Sequence, residues 1–365
     1  MTIKVKQKTV EPMSVLSVRR RVKGQADILK EIGALRPLVA DVATGPVMVL
    51  RLGFPYEGKL DVEIAFPTDG PVEKAGFTSK VLPAVPMLSF IHVGPIVDGP
   101  DGTNLSDTRK EFVQFVREKG AFIGDDPERF IYHEGEETHG DNAERYITED
   151  QYPYHMPIWL GALEEGTKRV AGDEAAAHVM AGSETFIESY DTAGAAAWVP
   201  NAIQRLQSAV PSESDRASIL NACAHHYIEQ SAYIMRELAA QADGDIHKLV
   251  NLVTAEPRMG ATYWLDGTGP IPRVFVRRKA ADPEGYAQAT DPVEKRYYAC
   301  FCPLVRDAIR RGEPVSRTFC HCSGGWYVQE WENVFGEKPR VDLVDTMLDG
   351  ADACVFAIHV PPAWR

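Results

Sequence analysis

The sequence predicts an α+β protein with two domains, and three observations support this. One order of strands and helices occurs twice within residues 1–162. From about residue 173 the apolar spacing is mainly helical, and short strand-like runs follow near the carboxyl end. The length of 365 residues also favours two domains over one. We therefore expect domains over 1–162 and 173–365, with a polar linker at Gly161–Gly172.

The first copy of the repeat has the order strand, helix, strand, strand. Val15–Val22 is an extended run, and Gln25–Val39 has apolar residues three and four positions apart, as in an amphipathic helix. Two further β-type runs follow at Pro46–Leu52 and Asp61–Pro67. The last of these carries a proline.

The second copy has the same order. The strand Met87–His92 precedes a helix over Ser106–Lys119, for which Ser106 is a suitable N-cap. The strands Arg129–His133 and Tyr154–Leu160 follow, and the last again contains a proline.

Such a repeat predicts a pseudo-symmetric domain of two βαββ units. Residues 13–67 should then superpose on residues 87–160. Because the seam between two such units forms a groove, we expect a small-molecule cleft there.

The C-terminal domain is predicted to place helices first and a small antiparallel sheet last. Predicted helices are Ala175–Ala181, Pro200–Val210, 213–242, Ile246–Val253, Asp291–Gly312 and Gly325–Phe335. Predicted strands are Arg273–Arg278, Val315–Cys322 and a terminal hairpin of Arg340–Met347 with Ala353–Val360.

Composition excludes several classes of protein. With 44% hydrophobic and 25% charged residues, the chain is typical of a globular protein. It has no apolar run long enough for a membrane span, and its first residues lack the apolar core of a secretory signal. A net charge of −13 argues against direct nucleic-acid binding. We expect a cytoplasmic protein with no membrane partner.

Two segments carry a family resemblance. SFIHVGP at Ser89–Pro95, followed by a helix and by ERFIYHEG at Glu128–Gly135, resembles the GyrI-like effector-binding domain. That domain also follows AraC-type DNA-binding domains and is related to the SOUL haem-binding fold. The resemblance covers roughly residues 10–160. It implies a concave cleft for amphipathic aromatic or cationic molecules and a role in transcription regulation. Some members are instead hydrolases that use a glutamate and a tyrosine.

The resemblance implies an acidic residue in the cleft. In the family, a glutamate stands four residues before the proline of the last strand; counting back from Pro157, that position is Pro153, so the acid is missing there. Glu63 stands four residues before Pro67 and takes the pseudo-symmetric place. It could pair with a ligand cation, or act as a base where burial raises its pKa; the alternative is an ordinary solvated strand carboxylate.

Aromatic residues near this acid complete the expected site. Tyr132 is the candidate hydrogen-bond donor and the catalytic partner of Glu63 in a hydrolase. Tyr154, His155 and Trp159 are the other predicted ligand-binding residues. Each aromatic side chain is also typical of a protein core.

The stretch Cys320–Val360 carries a second resemblance, to a vinyl-reductase-like domain and to L-2-amino-thiazoline-4-carboxylate hydrolases. It extends weakly back through Ala217–Glu229. The fold implies a homodimer. In phenol-sensing relatives, cysteines here bind zinc. Cys354, and either Cys320 or Cys322, match two of those cysteines, but the remaining ligands are not preserved.

Two C-x-C pairs keep a metal site open on independent grounds. Cys300 with Cys302, and Cys320 with Cys322, are expected to lie near each other, and four thiolates suit Zn²⁺. The usual zinc spacing is wider, and in a helix a C-x-C pair points its sulfurs roughly 200° apart. Buried or reactive free thiols and a redox disulfide are the alternatives.

The sequence therefore predicts a ligand-binding or effector-binding protein for a small hydrophobic, aromatic or cationic molecule. The alternative is a hydrolase of a small hydrophobic or strained-ring compound that uses Glu63 and Tyr132, or a cysteine in the C-terminal domain. An interaction module that dimerises is a third interpretation. Whether the protein is an enzyme stays open at this point.

Overall fold

The chain forms two compact units, each with both helices and strands, in a computed structural model. The structure describes residues 3–96, 105–119, 121–124, 127–134, 146–187 and 192–364. The N-terminal unit comprises Met1–His155 with Ile228–Gln230, and the C-terminal unit comprises Met156–Tyr227 with Ser231–Arg365. The predicted α+β class is confirmed.

The N-terminal unit is an eight-stranded antiparallel sheet with two helices. Its elements are β1 (Lys6–Val10), β2 (Met13–Val22), α1 (Gln25–Val39), β3 (Met48–Arg51), β4 (Leu60–Pro67), β5 (Thr78–Leu82), β6 (Val85–Val93), α2 (Leu105–Lys119), β7 (Glu128–Glu134) and β8 (Ile147–Pro153). The strands lie in the order β1-β6-β8-β7-β3-β4-β2-β5. The two βαββ units, β2-α1-β3-β4 and β6-α2-β7-β8, meet where β7 pairs with β3.

The repeat is present, but its last predicted strand is wrong. Tyr154–Leu160 does not match Asp61–Pro67, because the chain turns into helix α3 (His155–Ala171) directly after β8. The superposition of residues 13–67 on 87–160 therefore fails at its end. The strand-ending proline is Pro153, whereas Pro157 lies in the first turn of α3, where its missing N–H is tolerated.

Two short strands exchange between the halves. β1 precedes the first βαββ unit but pairs with β6 of the second, with Lys8 opposite Met87. β5 precedes the second unit but pairs with β2 of the first, with Lys80 opposite Val15. Both strands are short edge strands with lysines, which the sequence pattern does not reveal as part of a sheet.

Side chains alternate between two faces of this sheet. One face packs against the helices and buries a large apolar cluster that includes Leu16, Val49, Ile64, Phe66 and Tyr132. We call the opposite side the second face. It carries a smaller cluster of Val15, Met48, Leu50, Leu52, Ala65 and Leu82, with Ile131 packed against it.

The C-terminal unit has its helices mostly before its sheet, as predicted. The helices after α3 are α4 (Asp173–Met180), α5 (Glu184–Ile187), α6 (Thr192–Ala209), α7 (Glu213–Ala222), α8 (Glu229–Ala242), α9 (Ile246–Ala255), α10 (Pro283–Gln288), α11 (Pro292–Ala299), α12 (Arg306–Arg311) and α13 (His321–Phe335). The strands β9 (Ala261–Asp266), β10 (Arg273–Arg278), β11 (Val341–Asp345) and β12 (Val355–His359) form an antiparallel sheet in the order β11-β12-β10-β9.

Four local predictions in this region are wrong. The predicted helix 213–242 is two helices, α7 and α8, because the chain is not helical between Ala222 and Glu229. Most of the predicted linker Gly161–Gly172 is helical, within α3. The predicted strand Val315–Cys322 is a 3₁₀ turn, Arg317–Cys320, that Ser316 caps and that leads into α13. The predicted helix Asp291–Gly312 is interrupted after α11, next to Pro303. Among the described helices, none combines the length and the hydrophobicity that a membrane span requires.

Candidate functional site

Two buried carboxylates occupy equivalent positions in the two halves of the N-terminal unit. Glu63 stands four residues before the end of β4 at Pro67, and Glu149 stands four residues before the end of β8 at Pro153. Each residue is only 8% exposed. The expectation that the second half lacks this acid is wrong, because the proline that ends its last strand is Pro153, whereas Pro157 lies in a helix.

Both carboxylates point to the second face. Glu63 points to the same face as Ala65, which is two residues further along β4 and belongs to the apolar cluster of that face. Glu149 lies opposite Ile131 in the β7–β8 register, and Ile131 packs against the same cluster. The repeat therefore places two acids on one face, related by the pseudo-symmetry.

Each carboxylate forms an ion pair with a lysine from an exchanged strand. Nζ of Lys80 lies 2.5 Å from Oε2 of Glu63, and Nζ of Lys8 lies 2.5 Å from Oε1 of Glu149. The lysine side chains are 36% and 39% exposed, whereas both carboxylate side chains are 11% exposed. Each lysine thus spans from solvent to a mostly buried acid.

Glu149 is held in its ionised form. Burial alone would raise the pKa of Glu149, but hydrogen bonds with Lys8, Ser89 and Gln151 and the charge of Lys8 outweigh it, so this pKa lies below its usual value. Nε2 of His133 lies 3.5 Å from the second carboxylate oxygen. A carboxylate in this state is suited to holding a cation, and less suited to accepting a proton as a general base.

Apolar side chains and the buried Arg129 lie between the two acids. The strand order β8-β7-β3-β4 places two strands between them, and three spacings of a β-sheet amount to about 14 Å. Ile131 lies opposite Glu149, and Leu50 lies opposite Glu63. Met48 lies opposite Ile131 in the β3–β7 register and is two residues from Leu50 on β3. The second face therefore has an acid on either side of a middle region that contains apolar side chains and the buried Arg129.

Tyr132 does not share this face. It belongs to the apolar cluster under the helices, is almost fully buried, and its hydroxyl accepts a hydrogen bond from the side-chain amide of Gln25. Burial raises its pKa to about 12. The sheet lies between Tyr132 and Glu63, so the expectation of one cleft that contains both residues is wrong. A base and a donor on opposite faces cannot act on one substrate atom.

The helix side of the same sheet contains a polar pair that sequence analysis missed. Nε of Arg109, from α2, lies 2.6 Å from Oδ2 of the fully buried Asp150. The Arg109 guanidinium also lies 4.2 Å from the centre of the Phe130 ring. Burial raises the pKa of Asp150, although Arg109 opposes the shift. A buried arginine–carboxylate pair of this kind fixes the position of α2 on the sheet.

The other predicted aromatic residues are not grouped with Glu63. Tyr154 forms an isolated bridge with Ile123, and His155 packs edge-on against Phe122 at 5.0 Å. Trp159 belongs to the C-terminal unit, where its ring lies 6.0 Å from that of Phe319. All three predicted residues are buried. Their role in ligand binding stays a prediction.

The two C-x-C pairs do approach each other, as expected. Cys300, Cys302 and Cys320 line one cavity of about 20 Å³ together with Cys354. Cys322 points elsewhere, and its thiol donates to the carbonyl oxygen of Cys223 at 3.5 Å. Within the described part of the chain, no group of three or more His, Cys, Asp or Glu side chains is arranged to hold a metal ion. Zinc at the four predicted cysteines stays a prediction.

Burial keeps these thiols protonated. It raises the pKa of Cys300 to about 12, and it also raises the pKa of Cys302, Cys320 and Cys354. Cysteine nucleophiles have lowered pKa values, because the thiolate is the reactive form. The electrostatics therefore do not favour a cysteine-dependent hydrolase.

Glu330 is a further buried acid that sequence analysis missed. It lies on α13 and is 2% exposed. Burial raises its pKa to about 7, although the hydroxyl groups of Tyr263 and Tyr227 and the charge of Arg278 oppose the shift. Its position within WYVQEW resembles that of an ordinary helical glutamate, so no sequence signal distinguishes it.

Comparisons with known proteins give weak likenesses to solved structures. No protein-family model matches the chain, and no curated protein matches it. The C-terminal domain of EcmrR is 22% identical over 42% of this chain and 98% of its own, with a TM-score of 0.35. SAV2435 bound to tetraphenylphosphonium is 15% identical over 41% and 93%, with a TM-score of 0.30. A hydrolase from Listeria innocua is 16% identical over 41% and 91%, with a TM-score of 0.28.

Proposed function

We propose that the N-terminal unit binds a hydrophobic cation on the second face of its sheet. The observation that carries the proposal is the pair of buried carboxylates, Glu63 and Glu149, on one face of the sheet that also carries a cluster of apolar side chains. A buried anion without a partner is costly, so each acid needs a cation beside it, and a partly exposed lysine supplies that cation in the free protein. An adjacent apolar surface favours a ligand whose charge is attached to an aromatic or aliphatic body.

The lysines provide the route to each acid. Lys8 and Lys80 have flexible side chains that are more than one-third exposed, so each can move into solvent and leave its carboxylate to a ligand cation. The ligand replaces the charge of the ammonium group and adds apolar contact with Leu50, Met48 or Ile131. A small hydrated cation gains no apolar contact, and the site therefore selects against it.

Ligand sensing is part of the same proposal. The net charge of −13 does not favour contact with nucleic acid, so the proposal assigns to these residues the recognition of the ligand and not of DNA. No described arrangement supports the hydrolase alternative, because Glu63 and Tyr132 lie on opposite faces.

Calorimetry with tetraphenylphosphonium tests this function, because that ion combines a permanent charge with an apolar surface. Glu63→Gln and Glu149→Gln keep side-chain size but remove the charge. Each should weaken binding by about 1.5–3 kcal/mol, the contribution of a hydrogen-bonded or paired charge. Glu118→Gln, at an exposed position on α2, is the matched control and should bind like the wild type.

Triphenylphosphine oxide, which is neutral and similar in shape, separates charge from apolar contact. It should bind more weakly than the cation to the wild type and equally to all variants. Equal affinity of the wild type and both glutamine variants for the cation would contradict the proposal.

A further inference from the structure

The cavity in the C-terminal unit is unusually rich in sulfur. Four thiols line it, and the thioether of Met347 lines it too. Its volume of about 20 Å³ accommodates one water molecule or one ion, not an organic ligand. The cavity lining includes Cys300, Cys302, Cys320, Cys354, Met347 and Arg278, and its other residues are apolar apart from Ser323.

These sulfurs come from separate segments of the chain. Cys300 caps the end of α11, where its N–H donates to the carbonyl oxygens of the last turn. Cys320 ends the 3₁₀ turn that precedes α13, and Cys354 lies just before β12. Because three segments converge, the cluster is a product of the tertiary fold and not of one helix face.

Cys320 and Cys354 line the cavity from two segments that are far apart in the sequence. Burial has the largest effect on the pKa of Cys320, and among its neighbours Cys354 raises that pKa more than Cys300 or Cys302 does. The pKa of Cys300 is likewise raised by burial and then by Cys354.

Arg278 contributes a positive charge to the cavity lining. Its backbone N–H donates to the carbonyl oxygen of Cys354 at 3.1 Å, which fixes the two residues side by side. Its guanidinium lies 3.9 Å from the centre of the Phe301 ring. Phe301 is 45% exposed, so this part of the lining borders solvent.

We propose that this cavity binds one soft monovalent ion, Cu(I), through the sulfurs of Cys320 and Cys354. Thiolate and thioether sulfur are the ligands that Cu(I) prefers. Zn²⁺ in a closed site takes four ligands in a tetrahedron, and no described group of three or more such ligands is present. A two-coordinate ion needs only two sulfurs, and Met347 and Cys300 remain beside it.

The charges and atoms of the binding step balance. Two thiols each lose a proton to solvent and each forms a bond with Cu(I), which gives a bis-thiolate complex of charge −1 and releases two protons. No electron is transferred. The guanidinium of Arg278 compensates the new negative charge, and burial, which disfavours the free thiolates, makes binding depend on pH.

Anaerobic titration of the reduced protein with Cu(I), in competition with the chromophoric chelator bicinchoninate, tests the proposal. We expect one ion per chain and release of two protons per ion. The apparent affinity should then rise about a hundredfold per pH unit. Cys320→Ser and Cys354→Ser should each lower the affinity for Cu(I) at least about a hundredfold. Loss of a residue that only supports a metal ligand costs up to about a hundredfold, and loss of a ligand itself should cost at least as much.

Cys223→Ser is the matched control, because Cys223 is buried in the same unit but does not line the cavity. It should bind Cu(I) like the wild type, and thermal unfolding without metal should show that all variants are folded. An unchanged affinity in both cavity variants would overturn the proposal. So would tetrahedral Zn²⁺ binding without Cu(I) binding, or an equal loss in the control.

Discussion

Glu330 makes the stability of the C-terminal unit depend on pH near neutrality. The pKa of this buried glutamate is about 7, against a usual value of 4.5. Each unit of difference corresponds to about 1.4 kcal/mol, so ionised Glu330 costs the folded state about 3 kcal/mol. Below pH 4.5 the group is protonated in both the folded and unfolded states and costs nothing. The cost grows between pH 4.5 and 7 and is constant above.

Glu330→Gln removes this dependence, because glutamine is neutral at every pH and keeps the capacity for hydrogen bonds. E330Q should therefore be more stable than the wild type at pH 8, by up to about 3 kcal/mol, and the advantage should shrink toward pH 5. Urea unfolding followed by tryptophan fluorescence at pH 5, 6, 7 and 8 measures the difference. All 6 tryptophans lie in residues 156–365, so the signal reports on this unit.

Glu337→Gln is the matched control, since Glu337 is exposed just beyond α13. It should leave the pH profile of the free energy of unfolding unchanged. A wild-type profile that is flat between pH 5 and 8 would refute the reasoning. A lower stability of E330Q than of the wild type at pH 8 would refute it too, because the group would then be stabilising as an anion.

Two further perturbations test the packing and the ion pairs. Lys8→Met removes the lysine that pairs with Glu149 and should raise the affinity for tetraphenylphosphonium by up to about fivefold, which is at most about 1 kcal/mol for a partly exposed ion pair. Lys6→Met, on the same strand, should leave the affinity unchanged. Calorimetry that shows the same affinity for both variants would contradict this prediction. Gly325→Ala should destabilise the C-terminal unit by at least about 2 kcal/mol in urea unfolding, because its Cβ would lie 2.0 Å from the carbonyl oxygen of Asn221. Gly161→Ala, with open space at its Cβ, should be neutral or stabilising, and equal effects of the two changes would refute the steric argument.

Much of the N-terminal fold could be predicted from local pattern. β4 shows the alternation of a strand, and α1 shows helical spacing. β8 could not be recognised in the same way, because its sequence ITEDQYP looks exposed. Asp150 and Glu149 are nevertheless buried, and the cations that neutralise them, Arg109 and Lys8, are distant in sequence.

The incorrect prediction of Tyr154–Leu160 as a strand also led to an incomplete candidate site. An apolar run with a proline, Tyr154–Leu160, is equally consistent with a strand and with the start of a buried helix. If Tyr154–Leu160 is taken as the strand, the position four residues before its proline is Pro153, and Glu149 is not recognised as the equivalent acid. This interpretation leaves Glu63 as the only acid on the predicted cleft, whereas the structure pairs it with an equivalent acid in the other half.

The cysteines show a similar limit. The two C-x-C pairs correctly predicted that Cys300, Cys302 and Cys320 come together. Spacing alone could not reveal that Cys354 replaces Cys322 in the cavity, because the α13 backbone turns Cys322 toward Cys223. Local periodicity identifies which residues are available, while the convergence of distant segments decides which ones meet.

A crystal structure with tetraphenylarsonium tests the central claim most directly, because anomalous scattering from arsenic locates the cation without reference to the shape of the ligand. We expect the arsenic on the second face, within about 6 Å of the carboxylate of Glu149 or Glu63, the range over which a charge acts directly on its partner. The neighbouring lysine, Lys8 or Lys80, should have moved away from that carboxylate. Arsenic at any other location, with both lysine–glutamate pairs intact, would contradict the account.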